Sequence, residues 1–372
     1  MSRLAIFIPS FDNGGVERML INLATGISAR GVDVDFLATR TDAPYFKTLA
    51  PAVRLIDLGA RDPSGQLKAL LTYLEESRPD ALLSAKDECD DIALAAKRQT
   101  RVGTRFYIRA VVNVSQRLGY RNPIKRWTTR RWMRAVYPQA DGIVAVSQGV
   151  ADDVAAITGI PVERIHVAPN PVVRPDIYAQ AEALPDHPFY KDRQLPLVLG
   201  VGRFGRQKNF ELLLKACALA NRERPLRLII LGSGHRQRRL LSLASRLGID
   251  DRVSFPGFQP NAYAYMRHAD LFVLSSLWEG SPNVLTEALA LGTPVVSTDC
   301  PSGPREILQG GAIGPLVPLN DPPAMARAIL KVLAEPPPRE RCRAATTDYS
   351  IDNSAARYIH HMGLDQPPRN AA

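Results

Sequence analysis

Residues 271–297 read LFVLSSLWEGSPNVLTEALALGTPVVS and carry a short apolar run at each end. Uncharged runs of this length are typical of buried strands. Between them, Ser281 suits the N-cap of a helix, Pro282 suits its first turn and Gly292 suits its end. A strand, a helix and a second strand in this order predict a parallel sheet with a helical crossover, the building unit of an α/β fold.

The same alternation extends to both sides of this stretch. Short apolar runs alternate with helical periodicity over residues 4–146, and the pattern starts again at Leu197. Six prolines lie within residues 169–196, and this density disfavours both helix and strand. We therefore expect two open α/β domains with a cleft between them. The predicted segments are a first domain over 1–172, a Pro-rich linker over 173–195, a second domain over 196–348, a C-terminal helical segment over 349–364 and a flexible tail over 365–372.

The composition fits a globular protein with anionic partners. Of 372 residues, 45% are hydrophobic and 23% charged, which excludes a collagen-like, coiled-coil or largely disordered chain. The 47 Lys and Arg exceed the 37 Asp and Glu, giving a net charge of +10 that favours polyanions. Four cysteines stand far apart without a CxxC pair, so we expect a reducing compartment and neither a disulfide framework nor a zinc site. No apolar run is long enough to span a membrane, which predicts a cytoplasmic protein.

Two glutamates flank the predicted helix start in the opening stretch. The first backbone amides of this helix, at Asn283 and Val284, form an anion site in the general manner of helix N-termini. Glu279 precedes the helix and Glu287 lies within it. One carboxylate on each side of an anion site can bind the hydroxyls of a sugar phosphate. The alternative is a surface glutamate followed by one on a helix face.

Two further loops carry candidate ligand-binding residues. Arg203 and Lys208 lie in VGRFGRQKN, directly after the first strand of the second domain. A guanidinium and an ammonium at a strand–helix loop can neutralise a diphosphate, although ordinary surface cations would look the same. Gly14 and Gly15 occupy the first strand–helix turn of the chain, where glycine lets the backbone approach a ligand. A simple turn is the alternative there.

These motifs occur together in a specific order. Glu279 and Glu287 form an E-x7-E pattern that extends through GTPVVSTDCPSGPREI, and the chain also contains VERM, VAVSQGV, HVAPNPV and VGRFGRQKN. This combination resembles the family 4 glycosyltransferases, which are retaining enzymes of the GT-B fold. The resemblance implies two Rossmann-like domains with parallel sheets that face each other across a cleft. It also implies a C-terminal helix, about 351–362, that crosses back to the N-terminal domain.

The resemblance implies sugar transfer from a nucleotide sugar, with a UDP-sugar as the expected donor. The acceptor would be a lipid-linked glycan, a lipopolysaccharide or an exopolysaccharide. Glu279 would contact the donor sugar, Glu287 the ribose, and Arg203 and Lys208 the diphosphate. The implied donor site consists of Gly14, Gly15, Arg203, Lys208, Gly257, Phe258, Glu279, Ser281, Pro282, Asn283, Val284 and Glu287, of which Glu279, Arg203 and Lys208 are expected to be catalytic. No metal or other cofactor is expected, because enzymes of this type generally do not rely on a DxD-bound metal.

One feature departs from the family pattern. Many relatives carry a histidine at the end of the fourth or fifth strand of the first domain, near the donor sugar. The first histidine of this chain is His166. We therefore expect the role of the missing histidine to be absent or taken by Arg109 or Asn113.

A strongly basic segment lies in the first domain. Residues 92–140 contain no Asp or Glu, and the predicted helix 123–136 combines cations with Trp127 and Trp132. A basic helix with aromatic residues is typical of binding to an anionic membrane surface, here the inner face of the plasma membrane. The alternatives are a solvated basic face or an RNA-binding surface, for which no recognised motif is present. The cations expected to contact the membrane or the acceptor are Arg121, Lys125, Arg126, Arg130, Arg131 and Arg134.

Two other functions remain open from the sequence. A nucleotide-sugar epimerase or hydrolase can be built on the same architecture and would form products without an acceptor. A basic nucleic-acid-binding protein would instead bind random RNA in a salt-sensitive manner. The E-x7-E block favours the transferase, and we expect no nucleic-acid partner.

Overall fold

The computed structural model describes residues 1–8, 15–41 and 44–365, and the chain divides into two compact units. The first unit contains Met1–Val172 together with Tyr349–Ala372, and the second contains Val173–Asp348. The chain therefore leaves the first unit and returns to it. Gly14 and the predicted tail beyond Asp365 lie outside the described residues.

Each unit is built on one parallel sheet. In the described part of the first unit the strands are β1 (Arg3–Ile8), β2 (Asp33–Ala38), β3 (Val53–Asp57), β4 (Ala81–Ser84), β5 (Arg105–Ala110), β6 (Gly142–Ala145) and β7 (Ile165–Val167). In the second unit they are β8 (Leu197–Val201), β9 (Arg227–Leu231), β10 (Val253–Gly257), β11 (Leu271–Leu274), β12 (Val295–Thr298) and β13 (Leu316–Val317).

Helices connect nearly all of these strands. The described helices are α1 (Gly15–Ala29), α2 (Pro63–Ser77), α3 (Asp87–Gln99), α4 (Val114–Gly119), α5 (Pro123–Val136), α6 (Gln148–Thr158), α7 (Ile177–Ala181), α8 (Pro188–Lys191), α9 (Phe210–Glu223), α10 (Gln237–Arg246), α11 (Ala262–His268), α12 (Asn283–Ala290), α13 (Pro304–Ile307), α14 (Pro322–Ala334), α15 (Arg339–Ala344) and α16 (Ile351–His361). The predicted helix in the opening stretch is confirmed as α12, but its N-cap is Pro282 and not Ser281 as predicted.

The two sheets share the order of their first six strands, and the first sheet has a seventh strand, β7. Their strand orders are β3-β2-β1-β4-β5-β6-β7 and β10-β9-β8-β11-β12-β13, and the registered neighbours in both sheets are parallel. In each sheet the order reverses beside its first strand, between β1 and β4 or between β8 and β11. A reversal of this kind opens a crevice at the carboxyl ends of the two strands, where ligands bind in such folds. The prediction of two Rossmann-like parallel-sheet domains is confirmed.

The first sheet is covered on both faces. Successive residues of a strand point to opposite faces, so Ala5 and Phe7 join one hydrophobic cluster while Leu4 and Ile6 join another. The first cluster includes residues of α2, α3 and α6, and the second includes residues of α1 and α16. Burial on both faces explains why β1 is a continuous apolar run without alternation.

Helix α16 belongs to the first unit, as the expected return of a C-terminal helix requires. It packs against α1 at Gly26, where an added Cβ would lie 2.6 Å from Ile351 Cγ2 and 3.0 Å from Ala355 Cβ. Arg30 and Asp352 also pair at 2.8 Å. A larger side chain at position 26 would push the two helices apart.

Residues 173–195, predicted as a linker, contain α7 and α8 and form part of the second unit. Asn261 Nδ2 donates to the carbonyl of Gln180 at 2.7 Å, next to the packing of α7 on α11. Pro188 occupies the first position of α8, where a missing N–H costs no helical hydrogen bond. The proline density therefore reflects helix starts as well as extended chain.

Candidate functional site

Two loops meet at the point where the strand order of the second sheet reverses. Residues 202–209 follow β8 and residues 275–282 follow β11, and these two strands are neighbours. The amide of Leu277 donates to the carbonyl of Gln207 at 2.8 Å, and Ser275 Oγ donates to the carbonyl of Lys208 at 2.7 Å. The sheet and these hydrogen bonds hold the two loops side by side.

An ion pair joins these loops at their side chains. Lys208 Nζ lies 2.7 Å from Glu279 Oε1, and the two side chains are only 17% and 8% exposed. Ser276 Oγ donates to the same oxygen at 2.6 Å, while Gln207 Nε2 donates to Glu279 Oε2 at 3.3 Å and to the carbonyl of Trp278 at 2.9 Å. The structure thus brings the predicted residues Lys208 and Glu279 into direct contact.

Helix α12 begins where the second loop ends. Pro282 is its N-cap, Asn283 and Val284 form its first turn, and Glu287 lies buried in the helix. The first turn of a helix carries amides without intrahelical acceptors and a partial positive charge. Ser281 is also buried. The predicted anion site is therefore next in the chain to the Lys208–Glu279 pair.

The remaining predicted residues of the second unit follow the carboxyl ends of other strands. Arg203 is exposed on the loop after β8. Gly257 ends β10 with a φ of 83°, and Phe258 is exposed directly after it. Because β10 lies two strands from β8, these two residues share the edge of the sheet with the ion pair but lie further along it.

Two glycines between β9 and α10 have a packing role. A Cβ on Gly232 would lie 2.0 Å from the carbonyl oxygen of Gly202, and one on Gly234 would lie 2.6 Å from that of Phe204. The amide of Phe204 also donates to the carbonyl of Ser233 at 2.8 Å. These glycines therefore let the loop that carries Arg203 and Lys208 approach closely.

The end of β12 supports the loop that carries Glu279. Thr298 Oγ1, at the end of β12, donates to the carbonyl of Ser276 at 2.6 Å. Burial raises the pKa of the nearby Cys300 thiol, and the negative charge of Glu279 raises the pKa further. Cys300 therefore stays protonated at neutral pH and is not a nucleophile here.

In the first unit, Gly15 begins α1, at the reversal point between β1 and β4. Arg109 is buried in β5, where its Nε donates to Tyr358 Oη at 2.9 Å and its Nη2 to Asn170 Oδ1 at 2.7 Å. Asn113 caps α4 by accepting from the amide of Gln116 at 3.0 Å. These contacts give both residues structural roles, and the replacement of the missing histidine stays a prediction.

Helix α5 carries the predicted basic surface. Met133 and Val136 are buried in the core of the first unit, whereas Ile124 is 75% and Trp127 63% exposed. The guanidinium of Arg131 lies 5.8 Å from the centre of the Trp127 ring. Five of the six predicted cations are exposed, namely Arg121, Lys125, Arg126, Arg131 and Arg134, while Arg130 is partly buried.

Residues 1–8, 15–41 and 44–365 contain neither a membrane-spanning helix nor a cluster of metal-binding side chains. No helix there has both the length and the apolar character needed to cross a bilayer. In the same residues, no group of three or more His, Cys, Asp or Glu side chains is placed to bind a metal ion.

Asp35 belongs to a D-x-D sequence in β2, and its carboxylate is engaged within the protein. It accepts hydrogen bonds from Arg54 at 2.6 Å and from Tyr73 at 2.6 Å. Burial raises the pKa of Asp35, but the two hydrogen bonds and the positive charges of Arg54 and Arg3 together lower it below its usual value.

Sequence reasoning missed Gln207 and Ser276, which complete the surroundings of Glu279. Gln207 lies within the quoted VGRFGRQKN motif, and Ser276 stands three residues before Glu279. A hydroxyl three residues before a carboxylate is a weak local signal. The contact between Gln207 and Glu279 spans 72 residues of chain, so only the folded sheet reveals it.

Family models match most of the chain. The model for "Glycosyl transferases group 1" matches residues 186–349, and the model for "Glycosyltransferase Family 4" matches residues 13–174. The two matched ranges contain every residue that was assigned to the implied donor site.

Individual relatives extend over nearly the whole chain. N-acetylgalactosamine-N,N'-diacetylbacillosaminyl-diphospho-undecaprenol 4-alpha-N-acetylgalactosaminyltransferase of Campylobacter jejuni is 28% identical, covering 90% of this chain and 91% of that protein. Lipopolysaccharide core biosynthesis glycosyltransferase LpsE of Rhizobium meliloti is 28% identical, covering 87% of this chain and 86% of that protein. The crystal structure of Anabaena HepE in complex with UDP has a TM-score of 0.77 at 18% identity, covering 98% of this chain and 100% of that one.

Proposed function

The chain belongs to the family 4 glycosyltransferases and has their GT-B type of fold, and on this premise we propose that it is a retaining enzyme that uses a UDP-sugar. The acceptor would be a lipid-linked glycan, a lipopolysaccharide or an exopolysaccharide. The observation that carries the proposal is the Lys208–Glu279 pair at the reversal point of the second sheet. The names of the Campylobacter and Rhizobium relatives support this class of acceptor, and the UDP bound to HepE supports the choice of nucleotide.

The second unit would bind the donor through three positive groups. Arg203 offers a planar fork of N–H donors, Lys208 a compact ammonium, and the first turn of α12 a partial positive charge. Fixed positive groups stabilise the negative charge that develops on a leaving diphosphate. We assign this role to them in place of a metal ion. Glu279 would contact the sugar, and Glu287 would accept hydrogen bonds from the ribose hydroxyls.

The proposed chemistry exchanges one C–O bond for another on the same face of the sugar. The bond from the anomeric carbon to the diphosphate oxygen breaks, and a bond to the acceptor oxygen forms. The acceptor hydroxyl gives its proton to the departing diphosphate, so atoms and charge balance without a further reactant. Glu279 is not the nucleophile in this scheme, since the acceptor oxygen itself attacks the anomeric carbon.

Calorimetric titration with UDP, GDP and ADP tests the donor site. We expect the protein to bind UDP with micromolar affinity and to prefer it over the other two. Glu287→Ala should weaken UDP binding about tenfold or more, because a hydrogen bond to a charged group contributes about 1.5–3 kcal/mol. The matched control is Glu223→Ala, which removes an exposed glutamate of the same unit.

Each other outcome of this titration has a clear meaning. A preference for GDP or ADP would overturn the choice of a UDP-sugar, and no binding of any nucleotide would overturn the donor site. Sugar released or epimerised without an acceptor would replace the transferase by a hydrolase or an epimerase.

For the first unit, we propose that α5 binds the surface of an anionic membrane. Its exposed Ile124 and Trp127 would enter the interface while the flanking cations meet lipid phosphates. Each cation near such a surface contributes about 1 kcal/mol, so several of them give measurable binding. A membrane location would bring the enzyme to a lipid-linked acceptor.

Vesicle co-sedimentation tests this surface. We expect binding to phosphatidylcholine vesicles that contain phosphatidylglycerol, and a loss of binding as salt rises. Trp127→Ser should weaken this binding several-fold, whereas Leu241→Ser, at an exposed leucine of the second unit, should leave it unchanged. Equal binding to pure phosphatidylcholine, or salt-sensitive binding to random RNA in place of vesicles, would contradict the proposal.

A further inference from the structure

The two oxygens of Glu279 have different surroundings. Oε1 accepts from Lys208 Nζ at 2.7 Å and from Ser276 Oγ at 2.6 Å. Oε2 accepts from Gln207 Nε2 at 3.3 Å, the longest of the three hydrogen bonds. A carboxylate oxygen accepts about two hydrogen bonds, so Oε1 is satisfied while Oε2 keeps unused acceptor capacity among the described residues.

The groups that hold this carboxylate are themselves fixed. Ser276 is fully buried, and its carbonyl accepts from Thr298 Oγ1 at 2.6 Å. The backbone of Gln207 is tied to Leu277, and its side-chain amide also donates to the carbonyl of Trp278 at 2.9 Å. The Gln207 amide cannot turn away from Glu279 without also breaking its hydrogen bond to Trp278, and the backbone that carries the Ser276 hydroxyl is fixed by Thr298. The orientation of the carboxylate is therefore set before any ligand arrives.

Lys208 is only partly used by this arrangement. Its ammonium has three N–H groups, and Glu279 is its one acceptor in the described part of the chain. The other two can donate to the diphosphate while the ion pair remains. A single ammonium can thus keep Glu279 in place and bind the leaving group at the same time.

We propose that Gln207 and Ser276 are positioning residues that orient Glu279 so that Oε2 accepts a hydrogen bond from a hydroxyl of the transferred sugar. This inference rests on the proposed function, because it takes Glu279 to contact the donor sugar. It adds a requirement on the donor. The transferred sugar must carry a free hydroxyl facing Oε2, and a donor deoxygenated at that position should be a poor substrate.

Steady-state kinetics of Gln207→Met and Ser276→Ala test the positioning role. Each substitution removes one donor to Glu279 with little change of size. We expect kcat for transfer to fall about tenfold in each, while the Kd for UDP stays within about twofold, because UDP lacks the sugar. Matched controls are Gln194→Met and Ser245→Ala, two exposed positions of the same unit that should keep the activity of the unsubstituted enzyme.

A merely structural role would give a different pattern. A structural role would lower the Tm, weaken UDP binding and lower kcat, all in the same variant. That result would overturn the proposal. If the unsubstituted protein transfers no sugar, the proposed function fails first. If it transfers sugar and both variants keep its kcat, only the positioning role fails.

Deoxy analogues of the active UDP-sugar identify the hydroxyl. With the analogue that lacks the hydroxyl facing Oε2, the unsubstituted enzyme should lose about as much kcat as the variants lose with the full donor. The variants should then show little further loss, because groups in one hydrogen-bonded unit are not additive. If the loss of kcat from the substitution and the loss from the analogue multiply in full for every analogue, the assignment of Oε2 would be overturned.

Discussion

Replacing Lys208 with methionine is expected to lower the kcat of sugar transfer by a factor of about 10²–10³, the usual effect of removing one group that stabilises transition-state charge. In the proposed reaction this ammonium meets the diphosphate as negative charge develops on it. Lys208 also pairs with Glu279 at 2.7 Å, so its loss removes one of the donors that hold the carboxylate proposed to contact the sugar. Initial rates at saturating donor measure the effect, with Lys215→Met on α9 as the control.

The same substitution should also lower the free energy of unfolding. Glu279 is largely buried, and removing the partner of a buried charge costs about 3–5 kcal/mol. Adding Glu279→Gln removes the unpaired charge, so the double variant should regain much of the stability but none of the activity. A Lys208→Met variant with unchanged kcat would contradict the catalytic role, and a double variant less stable than the single one would contradict the ion-pair argument.

Gly232→Ala should destabilise the second unit by more than about 3 kcal/mol, which is large for a single methyl group. The new Cβ would lie 2.0 Å from the carbonyl oxygen of Gly202, at a φ of 127° that other residues rarely adopt. The loop after β8 cannot simply move, since the amide of Gly202 donates to the carbonyl of Leu231 at 3.0 Å. We also expect weaker UDP binding, because this loop carries Arg203 and Lys208.

Chemical denaturation and UDP titration of Gly232→Ala measure both effects. The control is Gly205→Ala in the same loop, where a Cβ would meet only His235 Cε1 at 3.8 Å. It should stay within about 0.5 kcal/mol of the unsubstituted protein. Equal stability of the two variants would show that the close approach of the loops has no energetic importance.

The fold was predictable wherever local signals and burial agree. The run Leu4–Ile8 is apolar throughout because both faces of β1 are covered, and the signals at Ser281, Pro282 and Gly292 placed α12 to within a residue or two. The secondary structure of residues 173–195 was not predicted correctly. Proline breaks regular structure in mid-element but favours a helix start, and Pro188 is the first residue of α8.

The candidate site was predictable in part, because its motif residues follow predicted strands. Motifs placed Arg203, Lys208 and Glu279 after neighbouring strands, and parallel strands bring such residues to one edge of a sheet. The individual contacts of Gln207 and Ser276 depend on side-chain directions set by tertiary packing. A single sequence carries no signal for those directions.

The return of α16 to the first unit has a consequence during translation. Helix α16 supplies the buried Ala355, Tyr358 and Ile359 to the core of the first unit, yet the ribosome makes this helix only after all of Val173–Asp348. At about 5–20 residues per second this delay lasts roughly 10–35 seconds. The second unit is continuous in the chain and can complete its core first. A nascent first unit must meanwhile expose the apolar surface that α16 will cover, which makes it a natural client for chaperones that bind such surfaces.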